Sequence, residues 1–186
     1  MPKKAIKSRA EQSALLASII HEKFTADELW KAVSRLNENK KKLDETAQAI
    51  LRKLHREISK SRKLPKEFVE ELSRTTSLAN KAWEEAREKK SFQIFLPHLE
   101  KIIELKRKQA GLIALPGHPY NSLLDDFEEG MTCEKLYPLF EELKMRLVSL
   151  LRKIKNLESY KKTRIEILKK GFPKELQIEL AKDVAR

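Results

Sequence analysis

Four histidines, one cysteine and one acidic run are the side chains with which this sequence could do chemistry: His21, His55, His98, His118, Cys133, and Asp125, Asp126, Glu128 and Glu129. A helical zinc grip needs two imidazoles four residues apart on one face. No two of these histidines lie three to five residues apart. His21-Glu22 begins like an HExxH motif, but position 25 is Thr, so the second imidazole is missing and His21 reads as a helix-end residue. His55 sits among Leu54, Arg56 and Ile58 on a helix flank, and His98 follows Pro97 at a helix start. His118 lies in a turn-rich loop, where a hydrogen bond to backbone is expected. The acids at 125, 126, 128 and 129 could attract Ca²⁺, yet they lack the alternating ligand spacing of an EF-hand, so solvated loop charge is expected. Cys133 has no partner base in sequence view and reads as an ordinary helix residue; alone it forms no internal disulfide and no cysteine-based zinc module. A Gly-rich phosphate cradle, a G-x-S-x-G elbow and a dinucleotide fingerprint are all missing. On these residues alone, the catalytic, cofactor-binding and metal assignments are none.

The elements that would position such residues are helices. At 186 residues the chain is long enough for one domain spanning 1–186 with a real core, and its 4 glycines leave few tight turns. Leu15, Leu16, Ile19 and Ile20 open an amphipathic helix ending near Phe24, and Thr25 is expected to cap a second one starting at Ala26. After the polar run Asn37 to Lys42, Leu43, Ala47, Ile50, Leu51, Leu54 and Ile58 form a helical stripe. Pro65 opens a further helix, roughly 35 Å long, with Phe68, Leu72, Ala79, Trp83 and Ala86 on one face. Ser91 can cap the next segment, in which Pro97 demands a kink or a restart. Gly111 to Tyr120 carries the densest turn chemistry, Asn121 to Phe127 makes about two helical turns, and Thr132 caps a long helix from Leu136 to Leu157 with a bend at Pro138. A last unit starts at Pro173 and carries Leu176, Ile178 and Leu180. Strand-period alternation does not occur, so the expected class is all-α with long antiparallel helices.

Charge is the other prominent feature. Forty basic and 28 acidic residues give a net +12. The excess sits at the ends, with +7 over residues 1–62, −1 over 63–131 and +6 over 132–186. Most lysines alternate with glutamates, as in Glu84, Glu85, Arg87, Glu88, Lys89 and Lys90, which is the pattern of a solvated helix face. Lys40, Lys41 and Lys42, and the stretch Arg152, Lys153, Lys155, Lys161, Lys162 and Arg164, remain candidates for weak anion attraction, without the interleaved aromatics that grip single strands. Apolar runs fall short of the roughly 18 to 20 residues of a membrane span, and the basic Met1 to Arg9 leads into no signal-type segment, so a cytoplasmic protein is expected.

Read in order, His21-Glu-Lys-Phe-Thr25, Leu64-Pro-Lys-Glu-Phe-Val-Glu-Glu-Leu72, Trp83-Glu-Glu-Ala-Arg87, Phe95-Leu-Pro-His-Leu-Glu-Lys101 and His118-Pro-Tyr-Asn-Ser-Leu-Leu-Asp-Asp-Phe-Glu-Glu-Gly-Met-Thr132 resemble the N-terminal third of the thermostable metallocarboxypeptidases, the carboxypeptidase Taq-like family. The resemblance holds in order and spacing over roughly residues 10 to 182, with Gly171-Phe-Pro-Lys-Glu-Leu-Gln resembling the helix start before the family's catalytic half. Its most specific piece is Pro119 to Thr132. Two positions depart from the pattern: His118 stands where an acid is expected, and Glu129 where a proline is usual.

The resemblance implies the helical half of a cleft-type metallopeptidase that removes C-terminal residues from peptides, commonly a homodimer, with zinc or cobalt in the full-length enzyme. It supplies no active site for this chain, because the family's HExxH helix and its downstream ligand follow the matched region. The chain alone is therefore expected to be inactive and to bind no cofactor, and to act as a truncated or split N-terminal part that forms a wall or lid of the cleft. Its partner would be the missing catalytic half or a full-length homologue, and a peptide would bind only the complete enzyme. The alternatives are a non-catalytic helical interaction module, possible as a stand-alone paralogue, and a basic nucleic-acid-binding helical protein, which charge alone supports. If the segment evolved to pack on a catalytic half, apolar faces should stay exposed, along Leu136 to Leu157 or on the final helix with Leu176 and Leu180.

Overall fold

The computed structural model describes residues 5–157 and 171–184. Two compact units make up the chain, Met1–Lys135 and Leu136–Arg186. The described residues form helices α1 (Ile6–Thr25), α2 (Asp27–Glu38), α3 (Glu45–Ser61), α4 (Lys66–Glu88), α5 (Leu96–Ile113), α6 (Asn121–Leu124), α7 (Cys133–Asn156) and α8 (Lys174–Val184), with short 3-10 turns at Lys40–Lys42 and Phe92–Ile94. Among the described residues there is no strand, so the chain is all-α.

Local chemistry sets most of these boundaries. Asp44 caps α3 by accepting the Ala47 N–H at 2.8 Å. Pro97 falls in the first turn of α5, where its missing N–H has no intrahelical partner to lose, so the choice between kink and restart goes to restart. Helix α4 closes with Lys90 in the left-handed region (φ 51°) and the Ser91 N–H on the Ala86 carbonyl at 2.9 Å. The expected cap at Thr25 does not form: Thr25 ends α1 and its hydroxyl donates to the His21 carbonyl of its own helix at 2.7 Å, leaving Ala26 as the cap residue of α2. Ser91 likewise makes no side-chain cap. The turn after Tyr120 is shorter than expected, one turn from Asn121 to Leu124.

In the first unit the long helices pair antiparallel. Helix α1 runs against α4, with Arg74 on Glu11 through two bonds of 2.7 and 2.9 Å near one end and Lys66 on Glu22 at the other. The face that α1 buries is not the expected one. Ala10, Ala14 and Ser18 are 1–2% exposed, while Leu15, Leu16, Ile19 and Ile20 face outward at 44–66%. Small side chains at four-residue spacing let two helix backbones approach closely, and that geometry rotates the larger residues away. Helices α2 and α3 pair through Val33, Leu51 and Ile58, with Phe24, Trp30 and Leu43 packed around them. Helix α5 lies along α4, with Lys101 on Glu71 at 3.1 Å and Lys63 donating to the Ile113 carbonyl. On α4, Phe68, Ala79 and Ala86 are buried as their spacing predicts, but Trp83 is exposed.

In the second unit, α7 from Leu136 onward and α8 present their apolar residues outward. Leu139, Phe140, Leu143, Leu147, Leu150 and Leu151 are each 44–54% exposed, and Leu176, Ile178 and Leu180 are 46–57% exposed. This is the apolar surface expected along Leu136 to Leu157 and on the final helix. No helix of the described residues is long and apolar enough to cross a membrane.

Replacing Ala14 with Leu should force α1 off α4 and lower stability by about 1 to 3 kcal/mol, as overpacking does, whereas Leu15→Ser on the outward face should change it by less than about 0.5 kcal/mol. Urea midpoints of the two variants measure the contrast.

Candidate functional site

The loop from Ala114 to Thr132 is where the chain concentrates its buried polar groups. Its centre is Asn121, 1% exposed at the start of α6. The Asn121 side-chain amide donates to the Pro116 carbonyl (3.0 Å) and to Glu134 Oε2 (3.1 Å), and its Oδ1 accepts the Cys133 N–H at 2.8 Å. Both amide N–H groups of that side chain and its carbonyl oxygen are thus engaged. Ser122, fully buried beside it, accepts the Leu115 N–H. Glu134, in the first turn of α7, also takes the His118 N–H at 3.1 Å. Its own N–H, the Asn121 amide, the His118 N–H and the Thr132 hydroxyl hold its carboxyl down to about 2. Gly117 completes the turn at φ 84°, and a Cβ there would meet Asn121 Nδ2 and Glu134 Oε1 at 2.9 Å each.

A second knot fastens the same loop to α3. Arg56 and Lys60 stand four residues apart on one face of that helix. Arg56 Nη2 donates at 2.6 Å both to the Asp125 carboxylate and to the Asp125 carbonyl. Lys60 Nζ reaches the same carboxylate at 3.1 Å and also pairs with Asp126. The other Asp125 oxygen accepts the Gly130 N–H at 2.9 Å. Burial pushes the Asp125 carboxyl up, but the Gly130 N–H, Lys60 and Arg56 outweigh it and leave it below the usual aspartate range. Burial likewise pulls the Lys60 ammonium down, and Asp126 and Asp125 more than restore it. The expectation of solvated loop charge is therefore corrected at Asp125, which is 7% exposed. Its partners lie 65 and 69 residues away in sequence, so no local pattern reveals the pairing.

The two departures from the family pattern find roles in this loop. His118 Nδ1 accepts the Tyr120 N–H at 3.1 Å and lies 3.7 Å from Cys133 Sγ, while Glu129 sits 3.9 Å from Arg56 Nε. The remaining histidines stay apart. His21 Nε2 meets the Leu64 carbonyl at 2.9 Å, His55 packs its ring 4.8 Å from Trp30, and His98 is half-buried at the start of α5. Cys133 is a buried free thiol at the first position of α7. Among the described residues no three His, Cys, Asp or Glu side chains come together as a metal would need. The loop acts as a clamp that ties α3 and α5 to Cys133 and Glu134 at the start of α7. Lys40, Lys41 and Lys42 form an exposed turn, and Lys161, Lys162 and Arg164 lie outside the described residues.

Asp125→Asn leaves Arg56 and Lys60 short of one buried counter-charge and should cost about 3 kcal/mol, read from the urea midpoint. Asp125 and Glu134 are both more acidic folded than unfolded. Their stabilisation is complete above about pH 4.5, the ordinary glutamate value, and is lost as pH falls through the folded values, about 2 for Glu134. Urea midpoints between pH 2 and 6 should accordingly fall less steeply toward acid in Glu134→Gln than in the unmodified chain.

Comparison with known proteins gives this architecture relatives. The chain is 39% identical over 154 residues to the thermostable carboxypeptidase 1 of Pyrococcus furiosus, covering 83% of this chain and 31% of that protein. It is 33% identical to carboxypeptidase 1 of Bacillus subtilis, covering 97% of this chain and 36% of that protein. The BsuCP crystal structure superposes with a TM-score of 0.86 at 32% identity, over 97% of this chain and 36% of the other, and the Trypanosoma cruzi metallocarboxypeptidase 1 structure with 0.67 at 29%, over 94% and 34%. The chain thus spans about a third of the length of the relatives it matches. Because the model of the carboxypeptidase Taq (M32) metallopeptidases matches residues 1–186 and the relatives agree in both sequence and structure, the chain belongs to that family.

Proposed function

We propose that this chain is the N-terminal helical part of a metal-dependent carboxypeptidase, and that it forms a wall or lid of the peptide cleft while the metal and its ligands belong to the remainder of the enzyme. The observation that carries this reading is the extent of the match: 83–97% of the chain aligns, but to 31–37% of each curated relative. One feature of the structure supports it: α7 and α8 leave large apolar side chains in water. Such a surface is stabilised when another body covers it, and the partner proposed for it is a catalytic part of the same family, carried on the same polypeptide or on a separate one. Zinc or cobalt would polarise the scissile carbonyl in the assembled enzyme, acting in the cytoplasm and commonly as a homodimer.

The test is peptide hydrolysis and metal content of the 186-residue chain, alone and after mixing with a polypeptide that matches the remaining two-thirds of the relatives. The expected result is no cleavage by the chain alone and release of C-terminal residues on mixing. Stoichiometric metal with cleavage by the chain alone, or no complex on mixing, would overturn the reading.

A further inference from the structure

We propose that the hollow at the C-terminal end of α4 binds a small aromatic carboxylate, with the ring against Trp83 and Phe92 and the carboxylate on Arg87 and Lys90. The inference needs neither metal nor cleavage and stands apart from the peptidase reading.

The hollow has a volume of about 610 Å³ and is lined by Trp83, Arg87, Lys90, Ser91, Phe92 and Phe95, around the buried Ala86. That is room for one substituted ring. Its aromatic residues are not spent on a core. Trp83 is 46% and Phe92 56% exposed, although Trp83 shares the helical spacing of the buried Phe68, Ala79 and Ala86. Phe92 and Phe95 meet edge to face at 6.4 Å, and both line the hollow.

The cations of the hollow are also unspent. Among the described residues neither Arg87 nor Lys90 has an ion pair, whereas their neighbours Lys81 and Lys89 take Glu84 and Glu85. The acids Glu84, Glu85 and Glu88 line a different hollow, together with Lys7 and His98. Arg87 is moreover held in place: its guanidinium lies over the Trp83 ring, 5.5 Å from the centroid. A guanidinium attracted to a ring still has N–H groups for hydrogen bonding, and its planar fork matches the two oxygens of a carboxylate. Lys90 sits at φ 51°, a conformation that glycine adopts without strain and lysine does not. A lysine there costs stability and brings an ammonium to the rim. The end of α4 carries partial negative charge from its last carbonyls, which opposes a doubly charged phosphate more than a singly charged carboxylate. A neutral ring would leave both cations without a counter-charge.

The test titrates the full chain with N-acetylphenylalanine, N-acetylphenylalaninamide and adenosine monophosphate, following the indole N–H resonances of Trp83 and Trp30 by NMR. N-acetylphenylalanine should move Trp83 and not Trp30, with a dissociation constant near ~1 mM, and the amide should bind at least about tenfold more weakly. Arg87→Gln should weaken the acid about tenfold. Lys90→Gly should weaken it while raising the melting temperature by about 2 to 4 °C, because glycine relieves the backbone, and that rise separates lost binding from lost folding. Equal binding of acid and amide, unchanged binding by both variants, a response of Trp83 to adenosine monophosphate alone, or no specific Trp83 shift at all would each overturn the proposal.

Discussion

The carboxylate of Asp125 takes Arg56 and Lys60 from α3 and the Gly130 N–H from its own loop, and the arrangement of the first unit depends on that convergence. An aspartate placed there without the two cations would be buried and uncompensated, and two cations without the aspartate would be crowded on one helix face. With all three present, the loop is fixed at one height along α3. From that point α6 begins at Asn121, Asn121 reaches the first residues of α7, and Glu134 reaches back to His118. A buried ion pair adds little net stability compared with apolar packing, but it tolerates few alternative geometries. Its effect is to choose one path for a loop that contains one glycine and two prolines in its first nine residues.

The same economy of charge organises the rest of the chain. A net +12 suggests a basic surface looking for an anion, yet the cations divide into classes with different neighbours. Lys60 and Arg56 are buried against acids, Lys81, Lys89 and Lys144 pair with glutamates one helical turn away, and Arg62, Lys66 and Arg74 tie helices together. Exposed pairs of this kind contribute little individually and are weakened by salt. What the interhelical ones secure is the register of the helices they join, Arg62 to Asp27, Lys66 to Glu22 and Arg74 to Glu11.

Apolar surface follows a contrasting logic in the two units. In the first, α1 packs on α4 through Ala10, Ala14 and Ser18, a core forms around Val33, Leu51 and Ile58, and Phe68 and Leu105 are fully buried. In the second, leucines along α7 and α8 stay half in water. That exposure carries a hydrophobic cost that burial would remove.

Helical spacing, the prolines and the scarcity of glycine determined the class of the fold and most helix boundaries, because periodicity and missing N–H groups act over a few residues and are printed in the chain. Ordered motifs from His21 to Thr132 likewise determined the family. Which side of α1 would be buried was decided only by tertiary structure: four large apolar residues proposed one face, and the closer approach allowed by three small ones selected another. Position along the chain could not show that Asp125 is buried, since its cations lie 65 and 69 residues away, nor that Thr25 spends its hydroxyl on its own helix, nor that Trp83 stays in water beside Arg87. Short-range sterics and hydrogen bonding are local and legible in sequence; which faces meet, and which charges are left without partners, depends on packing between distant segments and exists only in the folded molecule.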